Sequence, residues 1–425
     1  MANNVSLNIQ LSLIYAADGR PLLGLSITAQ IPNTQPGSTV SKLPYWIPSS
    51  PTITKNLLEL LPISLEADFT HPVPEVELEA EDGTAFLQFV DKSHQKLADA
   101  FCAVVETANE GVTYCAPLLC EQGEGGTYFL HNAQGSKIAV FKPADEDPQA
   151  VNNPKKKPNP DNPGSPLVFR KTIPKGEAAL REVAAYEFDR GSIGVPQTRM
   201  MKAKGSFFKT NTSPDGGPDK VGSMQVFVTS ECESWDLAPY KFSTTDVHRI
   251  GIFDVRSFNT DRHGGNMLAV AREDPKPGDS LYDLVPIDHG FCFPTGLSEA
   301  NWEWLYWPQA KKPFDEETLA FIASIDLDED SKLLRNLGLS EEAVRVNQMT
   351  TTLLKQGAAA GLTLFEIAKL CQRKIFKDGE EPSPLENACE AAERAAADDP
   401  SSFWSHFELA IRGLLTRRAV PSPSS

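Results

Sequence analysis

The chain has 425 residues, 40% of them hydrophobic and 23% charged, enough for two or three soluble domains whose cores need no disulfide staples. Its formal charge is -17 and its pI about 4.9, which sets most of the surface against a phosphate backbone and excludes general nucleic-acid binding. Seven cysteines, an odd number with no C-x-x-C pair, offer neither a disulfide framework nor a structural zinc site. The start, Met1-Ala2-Asn3-Asn4-Val5, reads as neither a secretory signal nor a transit peptide, and no apolar run is long enough to span a bilayer. The expected location is cytoplasmic, with any membrane contact peripheral.

Residues 1–114 read as a small accessory region, partly β. Leu7, Ile9, Leu11 and Leu13 alternate as in a strand that stops at Asp18-Gly19. A Pro/Ser/Thr-rich loop covers about 31–51. Glu75, Glu77, Glu79 and Glu81 alternate with small or apolar residues, as on an exposed edge strand. A helix is expected from Leu97 to Val105.

The character changes near residue 124. Gly125-Gly126-Thr127 leads into a strand to Leu130, a turn spans Asn132–Gly135, and Lys137–Lys142 forms the return strand. Residues 147–175 are a surface loop rich in Pro, Asn and Lys. Its Lys155, Lys156 and Lys157, with Lys171 and Lys175 beyond, form either a solvated face or a patch for a phosphate-bearing substrate. A helical stripe follows from Glu177 to about Asp189, ended by Gly191 and Gly194. Met224–Val228 is a strand, 246–258 a helix, and Met267–Ala271 with Leu281–Ile287 a strand pair. From Asn301 onward helical stripes dominate.

Three features carry chemistry. Glycines ahead of a strand let backbone N–H groups approach phosphates, and Lys142 on the next strand is placed to hold them as a point charge. A lysine so used needs an anionic partner. Glu182 lies beside the apolar stripe of the following helix, where an unpaired charge is costly, and is preferred over Glu177 and Glu187. Finally, Asp261 and Asn266 stand five residues apart, and the strand pair returns Asp288, in Asp288-His289-Gly290, to the same end. An Asp that takes a hydroxyl proton, with Asn and a second Asp as hard oxygen ligands for magnesium, is the donor set that phosphoryl transfer needs. His263 and His289 are expected to orient the loop by hydrogen bonds. No zinc spacing and no G-x-S-x-G elbow competes with this reading.

Together with Ala139-Val140-Phe141-Lys142-Pro143, Asp145-Glu146-Asp147-Pro148, Asn152-Asn153-Pro154, Arg181-Glu182-Val183-Ala184-Ala185-Tyr186 and Trp302-Glu303-Trp304-Leu305-Tyr306-Trp307-Pro308-Gln309-Ala310, these motifs make residues 120–380 resemble the phosphatidylinositol 3-/4-kinase superfamily, nearest the type II-like 4-kinases and their plant gamma-type members. The resemblance implies an α+β, two-lobed protein-kinase-like fold, with a first lobe at 115–228 and a mainly helical second lobe at 229–425. It implies ATP and Mg as cofactors, and Gln225, Val226, Phe227 and Val228 as the hinge for adenine. Gly125, Gly126, Thr127 and Lys142 would face the phosphates. Asp261 would act as base, Glu182 as the partner of Lys142, and Asn266 and Asp288 as metal ligands. The implied acceptor is phosphatidylinositol, with a protein hydroxyl on the same fold as the alternative and a non-catalytic nucleotide-binding scaffold as the third. Animal type II enzymes carry a palmitoylated Cys-rich segment after the phosphate-binding strand, whereas residues 148–174 contain no Cys. Trp302, Trp304 and Trp307 fall where such enzymes face the membrane. Exposed, they would form an interfacial belt; packed inside the second lobe, which is the preferred reading, they would be core.

Overall fold

The computed structural model describes residues 6–15, 21–30, 45–48, 87–90, 99–148, 150, 152–155, 171–208, 219–276, 279–376 and 379–418. The chain divides into two compact units, Met1–Gly83 and Thr84–Ser425. In the first, strands β1 (Ser6–Tyr15), β2 (Pro21–Gln30) and β3 (Tyr45–Pro48) form an antiparallel sheet in that order. The apolar alternation of Leu7 to Leu13 lies in β1, and β3 occupies part of the stretch read as loop. Asp18-Gly19 and the alternating glutamates 75–81 lie outside the described residues.

The second unit opens with a six-stranded antiparallel sheet in the order β4-β8-β9-β7-β6-β5. Its strands are β4 (Leu87–Phe89), β5 (Leu118–Leu119), β6 (Tyr128–His131), β7 (Lys137–Pro143), β8 (Thr198–Ala203) and β9 (Lys220–Val226). Helix α1 (Asp99–Gly111) buries Phe101, Val105 and Ala108 with Tyr128, Leu130, Phe141 and Met224 of the sheet. Both β4 and α1 therefore belong to this lobe. The unit begins at Thr84, not at residue 115, because β4 pairs with β8, a partner far along the sequence.

Helix α2 (Ala178–Asp189) ends where Arg190 and Gly191 turn left-handed, at φ 48° and 79°. Its Ala184, Ala185 and Phe188 share a core with Phe253, Cys292, Phe293 and Val344 of the second lobe. Phe188 meets both Phe253 and Phe293 edge to face, at 5.8 and 5.0 Å. This clamp fixes α2 between the lobes.

The second lobe contains the small antiparallel sheet of β10 (Cys232–Glu233), β12 (Met267–Ala271) and β13 (Tyr282–Pro286). The short β11 (Asp261–Arg262) pairs in parallel with β14 (Asn301–Trp302). Seven helices complete the described lobe. They are α3 (Thr244–Ser257), α4 (Glu316–Ser324), α5 (Leu327–Asn336), α6 (Glu341–Ala359), α7 (Leu364–Lys369), α8 (Pro384–Ala395) and α9 (Phe403–Arg418). The exposed hairpin of β15 (Lys374–Phe376) and β16 (Gly379–Glu381) interrupts them. Ser243 caps α3 by accepting the N–H of Asp246 at 3.0 Å, which satisfies one of the free amides of the first turn.

The tryptophans correct the interfacial alternative. Trp302, Trp304 and Trp307 are all buried in the second-lobe core. The rings of Trp302 and Trp304 stack at 5.3 Å, and their indole N–H groups donate inward, to Asn259 O at 2.6 Å and Asp254 Oδ2 at 2.9 Å. A buried indole needs such a partner, and here the partners lie at the base of the 261–266 loop. Trp304→Phe keeps most of the packing but leaves Asp254 one donor short. It is expected to cost about 1–3 kcal/mol, read as a lowered midpoint in thermal or urea unfolding. Among the described residues no helix is long and apolar enough to cross a membrane.

Candidate active site

Four elements converge at the cleft between the lobes. Strand β7 presents Lys142, α2 presents Glu182, the loop around β11 presents Asp261 and Asn266, and the end of β13 leads to Asp288. Of the three carboxylates considered on or beside α2, Glu177 pairs with Arg181 and Glu187 with Arg199, at 2.6 and 2.7 Å. Glu182 is the one that meets Lys142. The same ammonium reaches Asp288 Oδ1 at 2.9 Å, 146 positions along the chain, so Glu182 and Asp288 share one cation.

Burial sets the electrostatics. The Glu182 side chain is only 2% exposed, whereas that of Asp288 is 46% exposed. Burial raises the pKa of Glu182 against the pull of Lys142. Burial also opposes the charge on Lys142, but Asp288 and Glu182 overcome it and lift its pKa above the ordinary lysine range. At Asp288 burial works against ionisation, yet the ammonium of Lys142 holds the carboxyl below its usual value. The lysine is thus a fixed cation, and Asp288 a fixed anion open to the cleft. Asp288 has φ 55°, in the left-handed region that few non-glycine residues adopt. The next N–H, of His289, is tied to Glu182 Oε2 at 3.0 Å.

The β12–β13 pairing sets the spacing of the other two groups. Met267 stands opposite Pro286, and the Ile287 N–H donates to Asn266 O at 3.0 Å. Asn266 donates its side-chain amide to Asp261 O at 2.8 Å, which presents its oxygen as the remaining donor atom. Underneath, Arg262 and Asp254 are both fully buried. Arg262 Nε bonds both Asp254 oxygens at 3.2 and 3.1 Å, and Nη1 donates to Asn266 O and Ile287 O at 2.6 and 2.7 Å. One guanidinium therefore spaces the Asn266 backbone from the residue before Asp288.

The two histidines differ. His263 Nδ1 accepts the N–H of Gly265 at 3.1 Å and so shapes the loop. His289 contributes its backbone instead. Its ring packs edge-on to Phe253 at 5.6 Å, neither ring nitrogen has a hydrogen-bond partner among the described residues, and burial depresses its pKa well below the ordinary imidazole value. It is a neutral packing group, which corrects the expected hydrogen-bonding role.

The glycine loop sits in the turn between β5 and β6. The Gly126 N–H is already used, donating to Glu146 O at 2.7 Å. A Cβ at Gly126 would lie 2.2 Å from Glu146 Oε2 and 2.7 Å from its Cβ. The glycine is thus required by Glu146 beneath it, and the expectation that the Gly126 amide faces phosphate is corrected. Glu146 is buried, takes the Tyr128 hydroxyl at 2.7 Å and pairs with Lys220 at 2.5 Å. Asn153 donates to Glu124 O at 2.8 Å, and Lys155 donates to Gln122 O and Gly123 O at 2.5 and 3.3 Å. Glu146, Asn153 and Lys155 thus bolt the loop from below. Lys156 and Lys157 lie outside the described residues. Gly126→Ala is expected to displace this loop and raise the KM for ATP about tenfold or more while the fold persists, as a misplacement near 1 Å does; titration of initial rate against ATP reads it.

The hinge is shorter than the sequence suggests. Gln225 and Val226 lie inside β9, opposite Val140 and Ala139, so their backbone groups serve the sheet. The Phe227 N–H donates to Ile138 O at 2.9 Å. Val228 is the first of the four beyond this ladder.

Comparison with known proteins gives the family. Residues 123–367 match the family model described as Phosphatidylinositol 3- and 4-kinase. The chain is 41% identical over 324 residues to Phosphatidylinositol 4-kinase gamma 1 of Arabidopsis thaliana, covering 73% of this chain and 57% of that protein. It is 38% identical over 344 residues to Phosphatidylinositol 4-kinase gamma 8 of the same plant, covering 78% and 64%. With Phosphatidylinositol 4-kinase gamma 4 of Oryza sativa subsp. japonica it shares 38% over 313 residues, 70% and 52% of the two chains. The chain belongs to the phosphatidylinositol 3- and 4-kinase family. It spans between about half and two thirds of the length of these relatives.

Proposed function

We propose that this chain transfers the γ-phosphoryl group of ATP to a hydroxyl of the inositol ring of phosphatidylinositol. The observation that carries the reading is the single ammonium of Lys142 held between buried Glu182 and cleft-facing Asp288, in a chain of this family. Lys142 and the glycine loop 123–127, apart from the Gly126 amide, would hold the phosphates, and the backbone from Val228 the adenine. Asn266 and Asp288 are hard oxygen donors, two in number. That suits magnesium, which takes few protein ligands and completes its shell with phosphate oxygens and water. Bound there, the ion would neutralise charge on the β- and γ-phosphates. The hydroxyl oxygen forms a new bond to the γ-phosphorus as the bridging P–O bond breaks. ADP leaves, and the hydroxyl proton passes to Asp261. Catalysis by these residues is positioning and charge neutralisation.

The acceptor is tested by competition. The 425-residue chain is given γ-labelled ATP, magnesium, phosphatidylinositol vesicles and a protein acceptor together. Label in the lipid is the expected result. Label only in protein overturns the lipid reading in favour of a Ser/Thr protein kinase on the same fold.

A further inference from the structure

One large aromatic side chain at the active site has no part in the roles assigned so far. Trp235 follows β10, whose Glu233 pairs with Leu268 of β12. Its neighbour Ser234 is buried and donates to Gly264 O at 2.9 Å. The Trp235 ring stacks on the imidazole of His263 at 5.5 Å and 11°. Gly264 and Gly265 accommodate it, since a Cβ at either position would lie 2.8 Å from the indole side chain. The loop that carries Asp261 and Asn266 is therefore built around this ring. Even so, Trp235 is 57% exposed. A core tryptophan hides its ring, as Trp302 and Trp304 do, and a loop brace alone needs only the buried face.

The position also counts. His263 lies two residues from Asp261, and its Nδ1 accepts the Gly265 N–H within the loop that ends at Asn266. The ring stacked on it consequently borders the place where the acceptor hydroxyl meets the γ-phosphate. Cyclic polyols have one face richer in C–H groups than the other, and such faces pack on the negative face of an indole. The glycine loop and Lys142 serve the phosphates from the first lobe, which leaves this second-lobe surface to the other substrate.

We infer that Trp235, stacked on His263, is the platform on which the inositol ring of the acceptor lies, and thus a specificity-determining residue for the acceptor. This rests on the lipid-kinase reading above. It assigns to Trp235 a role in binding the headgroup and none in binding the nucleotide.

The test uses the full chain and a short-chain, water-soluble phosphatidylinositol, so that membrane adsorption does not enter. Trp235→Ala is expected to raise the KM for this lipid about fivefold to tenfold, the worth of one aromatic contact. Its KM for ATP is expected to stay within about twofold, and Trp235→Phe to recover most of the lipid affinity. An unchanged lipid KM in Trp235→Ala overturns the inference, as does a rise in the KM for ATP instead. A fall in kcat with both KM values unchanged, not rescued by Phe, also overturns it and makes Trp235 a positioning residue of the loop. Thermal melting of both variants identifies loss through unfolding, and the Phe variant, which keeps the ring packing, then decides. A wild-type chain that labels no lipid refutes the lipid-kinase reading itself and this inference with it. A wild type that labels lipid as well as its Ala variant refutes the inference alone.

Discussion

Lys142→Met is expected to lower phosphoryl transfer about 10²–10³-fold, the loss seen when one preorganised charge-stabilising group is removed, and to destabilise the fold as well. The second effect follows from burial. Glu182 is 2% exposed, and its ion pair is with Lys142. Breaking a buried pair from one side costs about 3–5 kcal/mol because the remaining charge is stranded. The variant can relieve this only by protonating Glu182, whose pKa burial already raises. Two measurements separate the effects. Lys142→Met with Glu182→Gln removes the stranded charge and is expected to regain most of the unfolding free energy with none of the activity. If the double variant is no more stable than the single, the buried pair is not the source of the loss.

Arg262→Met is expected to have the other large effect, although Arg262 belongs to none of the roles assigned in phosphoryl transfer. It leaves Asp254 fully buried with its cation gone, takes one of two donors from Asn266 O and removes the side-chain donor of Ile287 O. The stranded carboxylate alone predicts a loss of about 3–5 kcal/mol, or roughly 5–15 °C in melting temperature for a unit this large. Activity should fall further than stability explains, because the same guanidinium spaces Asn266 from Asp288. Adding Asp254→Leu is expected to return part of the stability and little of the activity. Full recovery of activity by the double variant would remove Arg262 from the account of the site.

How much of this was legible in the sequence depends on how local each feature is. Asp261, Asn266 and Asp288 could be read together because one β-hairpin connects them, and a hairpin's ends meet wherever its strands pair. Glu182 could be singled out because a carboxylate beside a helical apolar stripe must find a partner. Features set by distant pairing were not legible. Residues 87–89 read as accessory region because the partner of β4, β8, lies beyond three other strands and two helices. The hinge begins later than Gln225 because β9 stays paired through Val226, which its own residues do not signal. Gly125-Gly126 read as ordinary phosphate-loop glycines, while the reason for Gly126, the buried Glu146 below it, required the chain to fold back. As a string of letters the three tryptophans favour a core only slightly over a membrane rim. The inward indole bonds to Asn259 and Asp254 decide between them.

The central claim is that the cleft-facing carboxylate of Asp288, held by Lys142, makes this a phosphotransferase site. The most direct test is label transfer from γ-labelled ATP to phosphatidylinositol at saturating magnesium, comparing the full chain with Asp288→Ala under conditions where both are folded. The account predicts labelled lipid from the wild type and at least about 10³-fold less from the variant, which loses a proposed metal-ion ligand. Equal transfer by the two proteins would contradict it.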